Sequence, residues 1–193
     1  MDLTEESEKI KRSRAKKMML WFGIISMVMM FAGLTSAYVV SKTRPDWLVS
    51  FELPQAFYWS TITIALSSVT FVLAQKSIIS GKRKNASTLL IGTFMLAVLF
   101  MIFQFKGFSD IVSSGYYFTG SESSITTSFI YILVVAHLAH LAAGLMVLLV
   151  VIYNHFKQRY HKGQMLGIEL GATFWHFVDF LWIYLFVFLY FFK

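Results

Sequence analysis

Residues 174–192 read "FWHFVDFLWIYLFVFLYFF". A helix needs roughly 20 mostly apolar residues to cross a bilayer, and this stretch supplies nearly all of them. Only His176 and Asp179, three residues apart, are out of place in lipid. Extended back to Leu166, the run gives one span, Leu166–Phe192. Four earlier runs have the same character: Met18–Val40, Ala56–Ala74, Ser87–Phe105 and Thr126–Tyr153. Lipid offers no partner to backbone N–H and C=O groups, so these runs must be helices. Barrel strands would alternate with period two, and no such alternation is present. The fold class is therefore all-α, a polytopic membrane protein with five transmembrane helices in a bundle.

Composition agrees. The chain is 57% hydrophobic and 14% charged, against about 25% charged residues in a soluble domain. It has no cysteine, which excludes disulfides, thiolate metal sites and iron–sulfur clusters. The net charge of +7 does not point to nucleic acid. The basic run "KIKRSRAKK", Lys9–Lys17, abuts the first apolar run directly, as a topology signal does. It is also placed to touch anionic headgroups. That first run is too long for a cleaved signal peptide, and no small-residue cleavage site follows it.

The connections sort by charge. One side holds Lys9, Lys11, Arg12, Arg14, Lys16 and Lys17, then Lys76, Lys82, Arg83 and Lys84, then Lys157, Arg159 and Lys162. These are 13 of the 17 basic residues. The positive-inside rule then predicts a cytoplasmic N-terminus and a periplasmic C-terminus. The expected organisation is a basic cytoplasmic segment, 1–17, and one five-helix membrane domain, 18–193. Trp47, Tyr116 and Tyr117 in the opposite loops suit the interfacial aromatic belt. No internal repeat or soluble domain is visible.

Only two of the 10 acidic residues, Glu169 and Asp179, lie in the predicted spans, with three of the 5 histidines, His137, His140 and His176. A charge at the bilayer centre costs roughly 2.5–3.5 kcal/mol on insertion scales, so these side chains need partners. His137 and His140 share a helix face, as do His176 and Asp179, while Glu169 lies two turns before His176. The short loop between the last two spans makes them antiparallel neighbours. Small residues in "AHLAHLAAG" and "GATF" let those helices approach closely.

Three readings compete for the polar residues. "HLAH" has the spacing of a metal- or haem-ligand pair, but only one central carboxylate accompanies it. A proton path needs polar groups from one surface to the other, and the outer halves of these spans offer little beyond Tyr184. The favoured reading is a buried hydrogen-bond network that fixes helix register, with Asp179 or Glu169 paired to a histidine. Lys157, Arg159 and His161, in "NHFKQRYHKGQ", are candidates to hold lipid phosphates or to signal topology. The Met-rich "MMLWFGIISMVMM" reads as a lipid-facing or packing surface.

With these residues placed, a family likeness emerges. The core Trp175, His176, Phe177, Val178, Asp179 and Trp182 resembles the W-H-F-V-D-x-x-W pattern of the last helix of the cytochrome c oxidase subunit III family. Glu169 also matches. "AHLAHLAAG" is similar to the preceding helix, with its H-x-x-H-x-x-x-G pattern on His137, His140 and Gly144. "GKRK" followed by a helix ending in Gln104 is similar to the family's middle. The likeness covers nearly the whole chain. Two departures accompany it. Five helices rather than seven imply a short bacterial form, and "IISM" places Met27 where many members carry a reactive membrane carboxylate.

The resemblance implies an accessory subunit with no catalytic residue and no metal of its own. Haem and copper would lie in partner subunits I and II of a proton-translocating, O2-reducing terminal oxidase in the bacterial cytoplasmic membrane. The chain would cover subunit I, bind phospholipid and sustain proton uptake. The same subunit of a quinol oxidase or of a nitric oxide reductase-like complex is the near alternative. An autonomous haem- or metal-binding membrane protein is the distant one. No nucleic-acid partner is expected.

Overall fold

The computed structural model describes residues 3–44, 47, 53–115, 125–160 and 165–192. They form five helices: α1 Leu3–Ser41, α2 Gln55–Ile79, α3 Arg83–Ser113, α4 Ile125–Phe156 and α5 Leu166–Phe192. Each is long and apolar enough to cross a membrane, and the chain is a multi-pass membrane protein. Tyr116, Tyr117 and His161 lie outside the described residues.

Helix ends differ from the run lengths in an instructive way. The first apolar run begins at Met18, yet α1 starts at Leu3. Its early turns are rich in Glu, Lys, Arg and Ala, which favour helix, and Glu8 pairs with Arg12 at 3.1 Å one turn apart. Nothing in lipid is needed to hold that part. At about 1.5 Å per residue, the 39 residues of α1 outrun any bilayer. Similarly, α3 does not end near Gln104 but continues to Ser113. Hydropathy marks where a helix leaves the hydrocarbon, not where its backbone bonding stops.

The bundle is antiparallel between most neighbours. α2 meets α3, and α5 packs against α4, α2 and α1. Contacts at Ser60–Gln104 and Thr70–Thr93 set α2 against α3 in opposite directions. Lys17–Glu169 and Thr35–Tyr184 show that α1 and α5 run parallel. α5 carries the densest buried face, with Trp175, Val178, Asp179, Trp182, Leu185 and Leu189 all inside.

Two glycines make this packing possible. A Cβ on Gly171 would stand 2.8 Å from Val151 Cγ2, so α5 lies against α4 through a missing side chain. A Cβ on Gly107 would meet the buried Phe57 ring at 2.5 Å, at the α2–α3 contact. Gly92, on the same helix as Gly107, has nothing within 4 Å. Gly107→Ala is therefore expected to lower stability by about 1–3 kcal/mol through overpacking. Gly92→Ala should be neutral or gain about 0.5–1 kcal/mol from helix propensity. Thermal unfolding of the two detergent-solubilised variants checks the contrast; equal effects would refute the packing account.

Candidate functional site

The polar interior is built from α2 outward. Between Trp59 and Thr70 the sequence "WSTITIALSSVT" places Ser60, Thr63, Ser67 and Thr70 on one helical face, with Thr61 and Ser68 beside it. Several of these hydroxyls donate to their own helix. Ser60 and Thr61 bond Phe57 O at 2.8 Å each, and Thr63 bonds Trp59 O at 2.8 Å. A hydroxyl that donates backwards still has acceptor lone pairs pointing outward.

Those lone pairs take donors from the neighbouring helices. Trp175 Nε1 donates to Ser67 Oγ at 3.1 Å, and Trp182 Nε1 to Thr61 Oγ1 at 3.0 Å. His176 Nδ1 lies 2.6 Å from Ser68 Oγ. From α3, Gln104 Nε2 donates to Ser60 Oγ at 3.0 Å, and Thr93 meets Thr70 at 2.9 Å. A column of small hydroxyls on α2 thus receives the indoles and imidazole of α5 on one flank and α3 on the other.

The histidines and carboxylates named from sequence do not gather into one cluster. His137 is fully buried, and its ring packs 5.1 Å from Trp182 and 6.1 Å from Phe100. Among the described residues neither of its nitrogens has a hydrogen-bond partner. His140, one turn on, turns to α1 instead. Its Nδ1 donates to Ala136 O at 2.7 Å and its ring meets Phe31 at 5.7 Å. Asp179 is 2% exposed, and among the described residues its oxygens have no well-formed hydrogen bond. Ser68 lies beside that carboxyl but is engaged by His176.

Glu169 pairs with Lys17 of α1 at 3.1 Å, both side chains about half exposed. The carboxylate–histidine pairing expected from sequence is therefore absent among the described residues. Each carboxylate meets the chemistry of its depth instead. Glu169, near the end of the bundle, finds a lysine, while Asp179, deep in α5, borders a hydroxyl. Among the described residues no three His, Asp or Glu side chains converge closely enough to hold a metal ion. Lys157 lies over the Tyr153 ring at 4.8 Å, and Arg159 donates to Asn154 Oδ1 at 3.2 Å; both are exposed.

Sequence reasoning missed the α2 hydroxyls. Their signal was visible, six Ser and Thr within 11 residues of an apolar span. They drew no attention because a hydroxyl that bonds its own backbone costs little in lipid. Gln104 and the two indole donors were likewise noted only as family marks.

Fold and interior together define a polytopic α-helical membrane protein whose buried polar side chains are largely spent on helix-to-helix bonds. The family model described as cytochrome c oxidase subunit III matches residues 7–193, and the chain belongs to that family. Similar proteins include cytochrome c oxidase subunit 3 of Podospora anserina, 35% identical over 72% of this chain and 49% of its own length. That of Loxodonta africana is 30% identical over 86% of this chain and 66% of its own. That of Emericella nidulans is 33% identical over 86% and 64%. The chain thus spans about half to two thirds of the length of these relatives.

The α2–α5 bonds are separable by mutation. A double-mutant cycle between Ser67→Ala and Trp175→Phe should give a coupling of about 0.6–1.7 kcal/mol, the range for hydrogen bonds between membrane helices. Unfolding in mixed micelles measures it, and strictly additive losses would rule out the bond.

Proposed function

We propose that this chain is the accessory, non-redox subunit III of a respiratory haem–copper terminal oxidase, a cytochrome c oxidase reducing O2 to water. It covers and stabilises subunit I, binds phospholipid and supports proton uptake, in contact with subunit II and other members of the complex. The observation that carries this reading is the family match across residues 7–193, with the W-H-F-V-D-x-x-W core on the face where α5 meets α2 and α4.

Several features support the finer parts. Trp175, His176 and Trp182 are occupied in holding helices, which suits a structural role in register. His137, His140 and Asp179 join them as interior polar groups, and Glu169 joins α5 to α1 through Lys17 at the end of the bundle; the work of all four is assembly. An apolar groove of about 250 Å³ between α1 and α5, lined by Val28, Phe31, Ala32, Phe177 and Phe180, supports a seat for an acyl chain. Lys157, Arg159 and His161 are the companion headgroup contacts. The charge asymmetry of the connections supports an N-terminus on the cytoplasmic side, and the membrane proposed is the bacterial cytoplasmic one.

Purification of the tagged chain in mild detergent should bring down a haem-bearing subunit at near-equal stoichiometry, seen by mass spectrometry and the optical spectrum. Recovery of the chain alone, with no haem protein, would overturn the assignment. Within the purified complex, His176→Ala should shorten functional lifetime several-fold while haem per assembled complex stays unchanged. A selective loss of a haem signal, with the subunits still together, would place His176 at a redox centre instead.

A further inference from the structure

Asp179 lies at the middle of α5 and is 2% exposed, so its carboxyl is enclosed by its own bundle. The Ser68 hydroxyl of α2 lies beside it, and the same hydroxyl stands 2.6 Å from His176 Nδ1. We propose that these three residues form a proton-holding site: Asp179 is a neutral carboxylic acid that donates to Ser68 Oγ, and Ser68 donates in turn to His176 Nδ1. The ligand is one proton, held deep within the bundle. The site needs no partner subunit and so goes beyond the function proposed above.

Among the described residues no cation stands by to balance a negative charge on Asp179. The ionisable side chains of α2 are Tyr58 and Lys76, toward its opposite ends. On α4, His137 packs on Trp182 and Phe100, while His140 turns to Ala136 O and Phe31. Tyr131, Tyr153 and His155 lie nearer the ends of that helix. On α1, Lys17 is spent on Glu169, which precedes Asp179 by ten residues, about 15 Å along α5. Tyr38 of α1 packs on Phe188, about as far the other way, and Tyr184 of α5 itself meets Thr35. A carboxylate enclosed without a cation is disfavoured by desolvation, and a proton removes the charge.

The hydroxyl between the two groups carries one proton and gives it to one neighbour only. Ser60, Thr61, Thr63 and Thr70 give theirs to their own helix. Ser68 instead meets the imidazole, and among the described residues the Asp179 oxygens have no well-formed hydrogen bond. When Ser68 donates to Nδ1, it still has lone pairs for a donor, and a protonated carboxyl beside it supplies one. Were Ser68 to donate to Asp179, Nδ1 would carry the ring proton and the carboxylate would keep a full charge on a single hydrogen bond. Moving the acid proton to the ring would bury two charges instead of none. His176 Nε2 is buried without a partner among the described residues. That holds in all three arrangements, so Nε2 does not separate them. Charge does, and only the first arrangement is neutral throughout.

The test is infrared spectroscopy of the full-length chain in neutral detergent at neutral pH, because a protonated carboxyl has a C=O stretch well apart from the carboxylate bands. The unsubstituted chain should show this band, shifted on transfer to D2O. Asp179→Asn, which keeps the shape and a donor, should abolish it, while Asp110→Asn leaves it intact. Ser68→Ala should retain the band but move it to higher frequency, since the acid loses its acceptor. Nitrogen NMR of the histidine-labelled chain should find His176 with Nδ1 bare and Nε2 protonated. The proposal is overturned if only carboxylate bands are seen, if the protonated band survives Asp179→Asn, or if His176 Nδ1 carries a proton. It is equally overturned if Ser68→Ala, with native helix content by circular dichroism, leaves the band where it was. Should Asp179→Asn not fold, isotope labelling of the aspartate carboxyls assigns the band in the unsubstituted chain, and Ser68→Ala then decides.

Discussion

Lipid cannot hydrogen-bond, and that single fact organises the interior of this bundle. Every polar side chain taken below the headgroups must find its partner within protein. The second helix solves this with hydroxyls that are satisfied twice. Ser60 and Thr61 give their protons to the Phe57 carbonyl and still accept from Gln104 and Trp182. Ser60, Thr61, Thr63 and Thr70 enter the membrane with their donors already paired to the helix backbone, so their insertion carries little penalty. The acceptors then become useful when α3 and α5 arrive. Association in membranes lacks the hydrophobic drive it has in water, which leaves close packing and bonds of this kind to choose neighbours. Gly107 and Gly171 supply the close packing, and α2 supplies the bonds.

Polarity is also graded by depth. Lys17 and Glu169 meet near the end of the bundle, half exposed, where water and headgroups reach them. Such pairs add little to stability, but this one ties the otherwise lightly held α1 to α5. Further along, α1 attaches by Phe31 against His140 and by Thr35 against Tyr184 at 3.1 Å. Tyr38, fully buried, packs on Phe129 and Phe188, while Trp21, Phe22, Ile25 and Met29 form an outward, apolar stretch. The same stretch therefore serves as a lipid- or protein-facing wall, with few intrachain contacts to oppose either use.

How much of this was legible in the sequence follows from what each signal measures. Run length and the lack of alternation were enough for five helices, because spanning is a property of one segment at a time. The ends of α1 and α3 were not legible, because helices continue through charged turns that hydropathy scores as loop. Within a span, spacing grouped His137 with His140, yet the two rings meet different helices, His137 against Trp182 and Phe100 and His140 against Phe31. It is silent on which neighbour that face meets. The short loop before α5 makes α4 the obvious partner, and the small residues there do line a close contact at Gly144 and Gly171. Yet α5 has neighbours on several sides, and its donors turn to α2, more than 100 residues away in sequence. Attention to ionisable groups led to an expected histidine–carboxylate pair, whereas the uncharged Ser and Thr did the bonding.

The choice of tryptophan on α5 makes the same point chemically. The chain has 20 Phe and 5 Trp, so aromatic bulk alone is readily supplied by Phe. Trp21 and Trp59 are exposed on the outer surface, where the amphipathic indole suits an interface. Trp175 and Trp182 are instead 1% exposed, and both donate to hydroxyls of α2. They stand seven residues apart, about 10.5 Å along a helix. Their acceptors, Ser67 and Thr61, stand six apart on an antiparallel helix, about 9 Å. Displacing α5 by one turn would carry both indoles past their acceptors and strand two donors in a medium with no substitute. Phe at either position would fill the space in several registers, whereas the indoles accept one. The W-H-F-V-D-x-x-W stretch thus acts physically as a register code for the second helix, which explains why polar side chains persist in so apolar a segment.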